Sequence, residues 1–220
     1  MSKLETNTID TVSGTSTLQV GSTNTSTITL GVSGDTIDIP SGVTLDTTGA
    51  TVSGITQGIT QADLWQCSSS QSISSNTTTL ITGSWRRSAE ATNGQIGSGM
   101  SESSGIFTFP STGIYQVNLR TFWNGFGGSG NGDAAYVQQE IHATQNNSSY
   151  GLVAISTLPG TTTGSGVRYV SMHDSCLIDV TDTSNVKVKF LGYIQDTNGT
   201  MSGATGYNSI WSSFIRLGDT

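Results

Sequence analysis

The one place in this 220-residue sequence where a nucleophile, an imidazole and a carboxylate gather is His173-Asp174-Ser175-Cys176. Nucleophilic catalysis there would need the Cys176 thiol against the His173 ring. On a strand, positions 173 and 176 differ by an odd number and point to opposite faces, so that contact is not made. Metal binding is no better served, because His142 and His173 are the only histidines and Cys67 and Cys176 the only cysteines, too few for a zinc set. Asp179 and Asp182 flank a turn but lack the spacing and carboxylate number of a calcium loop. The run from Gly125 to Gly132 is rich enough in glycine to cradle a phosphate. No Lys-Ser or Lys-Thr follows it and no helix begins there, so it reads as a loop between strands. Trp85-Arg86-Arg87 reads as a strand ending in exposed arginines. No catalytic residue, metal or cofactor is expected.

The elements that must position these residues are strands. Charged residues make up 10% of the chain, against about 25% in ordinary soluble domains, and Ser, Thr, Asn and 28 Gly fill the difference. Thr favours strands and Gly, Asn and Ser favour turns, while no amphipathic helix is visible. The sequence is organised around Gly105 to Leu119. Phe107 and Phe109 alternate with small polar residues, and Tyr115, Val117 and Leu119 do so again after Pro110 and Gly113, which predicts a β-hairpin. Further strands are expected at 64–68, 79–84, 99–109, 113–123, 135–143, 150–157, 167–180 with an interruption, 186–194 and 210–217. In Val186-Lys187-Val188-Lys189-Phe190 the apolar residues face one way and the lysines the other, as a half-exposed antiparallel strand requires. Such strands with glycine-rich turns make a sandwich or jelly roll.

Charge and hydropathy exclude several partners. A net charge of −7 with eight Lys and Arg leaves no basic stripe for nucleic acid or anionic membranes. No apolar run is long enough to span a bilayer, and Met1 to Asn7 lacks the apolar core of a signal peptide, so synthesis and assembly in the cytoplasm are expected. Cys67 and Cys176 are expected to be reduced and packed in the core.

Residues 1–60 form a distinct, low-complexity segment before the domain of 61–220. Apolar pairs recur in it: Leu18 and Val20, Ile28 and Leu30, Ile37 and Ile39, Val43 and Leu45, each flanked by glycine. One chain cannot enclose a core from such short pieces. The segment reads as an oligomeric β-stem in which other copies supply the missing walls; the alternative is a disordered Ser/Thr linker.

Two resemblances extend this reading. Phe107-Thr108-Phe109-Pro110-Ser111-Thr112-Gly113-Ile114-Tyr115-Gln116-Val117 resembles the phenylalanine, proline, glycine-x-tyrosine signature of the globular heads of complement first-component q chains, relatives of tumour necrosis factor. Ser212 to Leu217 resembles that family's closing strand, with Arg216 where the family has an apolar residue or glycine. No collagen-like Gly-X-Y stem precedes the domain. Ser2-Lys3-Leu4-Glu5-Thr6-Asn7-Thr8-Ile9-Asp10-Thr11 is similar to the opening of tail-fibre and other virion proteins of marine bacteriophages. Together the resemblances imply an all-β, homotrimeric appendage, in which an intertwined N-terminal stem meets other virion proteins and a jelly-roll knob follows.

The expected function is that of a non-enzymatic virion protein, a tail fibre or spike whose knob contacts a glycan or protein of the host surface. The alternative is a capsid decoration protein. A polysaccharide depolymerase is poorly served, since Asp35, Asp38 and Asp46 are the only acids of the repeats. Ile28, Leu30, Ile37 and Ile39 of the stem, with Tyr115, Trp123 and Phe214 of the knob, are the expected trimer interface. Connections 124–134, 158–166 and 195–208 are expected at the free end, where Phe126, Asn131, Asp133, Tyr207 and Asn208 offer aromatic faces and amides for sugars.

Overall fold

A computed structural model describes residues 20–21, 23–48, 58–87, 93–126, 134–160 and 168–220, with no helix among them. The chain divides into two compact units, 1–55 and 56–220. In the first, residues 23–48 form tight turns joined by segments that belong to no helix and no β-ladder. Asp35 N donates to Val32 O at 3.0 Å and Val43 N to Pro40 O at 3.1 Å. Gly34 and Gly42, at φ of 97° and 86°, take the third position of these two turns, which only glycine fills without strain.

The second unit is an antiparallel sandwich. Its first sheet holds β1 (Ala62–Cys67), β2 (Gln71–Ile73), β4 (Trp85–Arg87), β7 (Gly113–Phe126), β10 (Arg168–Val180), β12 (Gly199–Met201) and β13 (Trp211–Gly218). β10 runs the length of one edge of β7, and β12 and β13 share the other, so the order is β10-β7-β13-β1-β4 with β12 and β2 beyond the upper part of β7. The second sheet holds β3 (Thr79–Leu80), β5 (Ser101–Ser103), β6 (Ile106–Thr108), β8 (Tyr136–Thr144), β9 (Gly151–Pro159) and β11 (Lys187–Ile194). There β11 is central, with β8 and then β9 on one side and β6 and β3 on the other. Val186, Val188 and Phe190 are buried while Lys187 and Lys189 are half-exposed, as the alternation predicts.

Pro110 and Gly113 do reverse the chain, but not into a hairpin. β6 pairs with β11 in the second sheet, whereas β7 pairs with β10 and β13 in the first. The two period-two patterns meet face to face across the sandwich rather than edge to edge: Phe109 lies 4.8 Å from Tyr115, ring centre to ring centre. Phe107 is the hub of the core, with Trp65, Trp85, Phe190 and Phe214 all 5.1–5.5 Å away. Tilted and edge-on contacts of this kind add to area burial, and truncating such a ring costs about 3–5 kcal/mol.

The buried carboxylate of Asp63 pins the strand ends beside this cluster. It accepts bonds from Trp65 Nε1 at 2.8 Å, Met100 N at 2.8 Å and Arg87 Nε at 3.2 Å. Trp85–Arg87 is a strand whose last residue, Arg87, is exposed, as the sequence suggests; its guanidinium also pairs with this internal acid and lies 4.9 Å over the Trp65 ring.

Candidate functional site

On one side of the sandwich the edges of the two sheets meet in a seam. β9 and β10 are the edge strands there, one from each sheet. Their outward positions are unusually apolar: Leu152, Val153, Ile155, Tyr169 and Leu177 are 44–63% exposed. Three clefts of about 240–440 Å³ run along the seam between them, each lined from both strands. Polar stitches cross it. Ser156 Oγ donates to Asp174 Oδ1 at 2.5 Å, and Gln139 Nε2 donates to Asp174 Oδ2 at 2.8 Å. Gln139 is fully buried and accepts from Thr121 Oγ1, so β7, β8, β9 and β10 are tied through amide, hydroxyl and carboxylate as well as through the core, in which Met172 and Ile178 of β10 are buried and against which Ala154 and Leu158 of β9 pack.

The outer faces of the two sheets differ in chemistry. On the second, Lys187, Lys189, Glu140 and His142 alternate outward, with His142 Nε2 and Glu140 Oε2 2.7 Å apart. On the first, the outward positions of β7 and of β13 are Ile114, Gln116, Asn118, Arg120, Phe122, Asn124, Trp211, Ser213, Ile215 and Leu217, with a single charge. That charge is already engaged, because Arg120 donates to Asn208 O, Ser209 O and Ser171 Oγ at 2.9–3.2 Å. Aromatic pairs extend the face onto β10: Phe122 stacks on Tyr169 at 6.1 Å, and His173 lies 5.8 Å from Trp211. This face and the adjoining seam form one ring-rich surface with few charges, Arg120 on β7 and Asp179 on β10.

The expected interface aromatics lie elsewhere. Tyr115, Trp123 and Phe214 are at most 1% exposed, filling the chain's own core, and no partner can reach them. They fall on the inward phase of β7 and β13; the outward phase, Phe122 and Trp211, carries the accessible rings. Phe126 is also corrected. β7 pairs Asn124 with Tyr169 but Phe126 with Arg168, so Gly125 is an extra residue, a bulge that turns Phe126 inward onto Trp123. Ile28, Leu30, Ile37 and Ile39 are 45–65% exposed.

Register places the connections after β7, β9 and β11 at one end of the sandwich and those after β6, β8 and β10 at the other. Asn131 and Asp133 lie outside the described residues. Tyr207 is 67% exposed but is not at the loop end. The carbonyl of its neighbour Asn208 is held by Arg120, six positions down β7 from Phe126, or about 20 Å at strand rise. The connection 202–210 therefore folds back along the flank of the first sheet.

His173 faces outward and Asp174 inward, as alternation requires, and Cys67 and Cys176 are free thiols on β1 and β10. Two strands lie between β1 and β10, a separation of about 14 Å at the usual strand spacing, beyond disulfide reach. Among the described residues no group of three or more His, Cys, Asp or Glu could hold a metal ion. The seam itself escapes sequence reading. Gly151 to Pro159 shows apolar residues in both phases, a signal of two-sided contact, but which strands end a sheet is known only from the pairing.

No protein-family model and no curated protein matches the chain. Solved structures do match the sandwich. Eiger TNF from S. frugiperda superposes with a TM-score of 0.54 at 9% identity, covering 72% of this chain and 93% of that one. Murine APRIL at pH 5.0 superposes with a TM-score of 0.50 at 12% identity, covering 71% and 98%. The likeness is one of fold: the second unit is a jelly roll of the tumour necrosis factor type.

Proposed function

We propose that this chain is a non-enzymatic structural protein of a bacteriophage virion, a homotrimeric fibre or spike whose jelly-roll head self-associates and meets the host surface. The observation that carries the self-association is the ring-rich, sparsely charged surface formed by the β9–β10 seam and the outer face of β7 and β13, on which Leu152, Val153, Ile155, Tyr169 and Leu177 are 44–63% exposed. Exposed apolar residues gathered in this way are kept from water by a partner, and the more highly charged outer face of the second sheet is left for solvent. An edge on one copy and a sheet face on the next are different surfaces, so the contact is heterologous, and a ring closes it. The tumour necrosis factor type of fold and the resemblance of Phe107 to Val117 to complement heads favour three copies. The virion reading rests on the opening run Ser2 to Thr11, and residues 1–60 are assigned to a stem that joins the particle. Host contact is assigned to Asn131 and Asp133 of the connection after β7, and to Tyr207 and Asn208.

Sedimentation equilibrium tests the assembly. The wild-type protein is expected at three times the 22.9 kDa chain mass. Leu177→Lys, which sets an ammonium on the seam, should shift the mass toward that of one chain and lower the melting temperature, while Gln138→Lys on the outer face of the second sheet should do neither. A monomeric wild type at micromolar concentration would overturn the reading.

A further inference from the structure

We propose that residues 23–48 form β-structure only between copies of this chain, with the pairs Ile28/Leu30, Ile37/Ile39 and Val43/Leu45 of each copy closing on those of the others around a shared apolar axis. This rests on the self-association of the head and specifies how the first unit takes part in it. Each pair has i, i+2 spacing, so once the segment is drawn into a strand both members face one side. All six side chains are 45–65% exposed, and Val20 and Val32 add 61% and 77%. Together the eight present on the order of 800 Å² of apolar surface, what one partner contributes to a standard interface.

The backbone is prepared for such a partner. The turns at 32–35 and 40–43 are closed by their own hydrogen bonds, and Asp35 Oδ2 accepts from Val32 N at 2.8 Å. The segment between them forms no ladder. Covering its side chains without pairing its amides would strand buried donors and acceptors. A smooth apolar groove or a lipid surface leaves those groups unmet; another extended chain meets them. The segment carries Asp35, Asp38 and Asp46 and no basic residue. In a strand Asp38, between Ile37 and Ile39, takes the opposite face, so identical copies can share the apolar side while each Asp38 stays in water.

Period-two cross-linking in the full-length protein decides this. Ile37→Cys, Asp38→Cys and Ile39→Cys are oxidised mildly and run on non-reducing gels, with the native mass of each sample measured by sedimentation. Thiols on a shared axis are held at high effective concentration, so cross-linked dimer from positions 37 and 39 should exceed that from 38 about tenfold. Equal yields at the three positions, or none, in protein that sediments as an oligomer would overturn the stem and leave the head's association standing. A monomeric mass for all three variants and the wild type would overturn both.

Discussion

Burial pushes the Cys176 thiol up to about 11, and the negative charge of Asp174 adds to the shift. Burial also raises Cys67, which is fully enclosed beside Gly83. A thiol attacks as its thiolate, so neither cysteine is reactive at neutral pH. Native protein at pH 8 should react with a thiol reagent about 100-fold more slowly than free cysteine, with the rate climbing as pH approaches the shifted value, and unfolding should release two equivalent fast thiols. The sign for stability follows: a raised thiol contributes stability that is complete below its ordinary value and is lost as pH rises through about 11. Fast labelling of a folded chain at pH 8 would contradict the packing described. At this scale the sequence was partly legible. The opposed directions of His173 and Cys176 follow from an odd spacing, but the bonds that Asp174 makes to Ser156 and Gln139 join three strands distant in sequence, and no local pattern announces them.

Among the elements, the turn before β7 shows what glycine does here. Gly113 has φ of 136°, and an added Cβ would stand 2.5 Å from Gly218 O and from Arg216 Nε. Arg216 meanwhile donates to Thr112 O at 2.8 Å, so the last strand and this turn lock each other. Gly113→Ala therefore combines an unfavourable backbone region with a clash against main chain, and should cost about 1–3 kcal/mol in urea denaturation. Gly151→Ala, where nothing stands within 4 Å of a new Cβ, is the matched control and should be near neutral. Long strands were readable because alternation over eight or more residues is a strong signal. β2, β4 and β12 have three residues each, too few to show a period, and their existence depends on neighbours. The bulge at Gly125 was equally hidden, which is why Phe126 looks like a loop aromatic in the sequence and is a core residue in the fold.

At the scale of the whole molecule, order in sequence and order in space are opposed. β13, the last strand, lies between β1, the first, and the central β7, pairing Phe214 with Asp63 on one side and with Val117 on the other. Phe214 also packs on Phe107, Phe109 and Phe190, so the hub of the core is incomplete until the C-terminal residues arrive. Closing so long a loop is slow, and folding in the millisecond-to-second range of non-local β-proteins is expected. It also makes the C-terminus a sensitive test of the architecture. A chain ending at Ile210 should show no cooperative unfolding transition by tryptophan fluorescence, because the first sheet is split and Phe107 loses a neighbour. A chain ending at Gly218 loses only the ion pair between Arg216 and the 93% exposed Asp219, a surface contact within about 1 kcal/mol, and should unfold cooperatively close to wild type. Cooperative melting of the shorter chain would mean that β1 and β7 can close the sandwich without the strand between them, contrary to the pairing on which both the core and the outer association face depend.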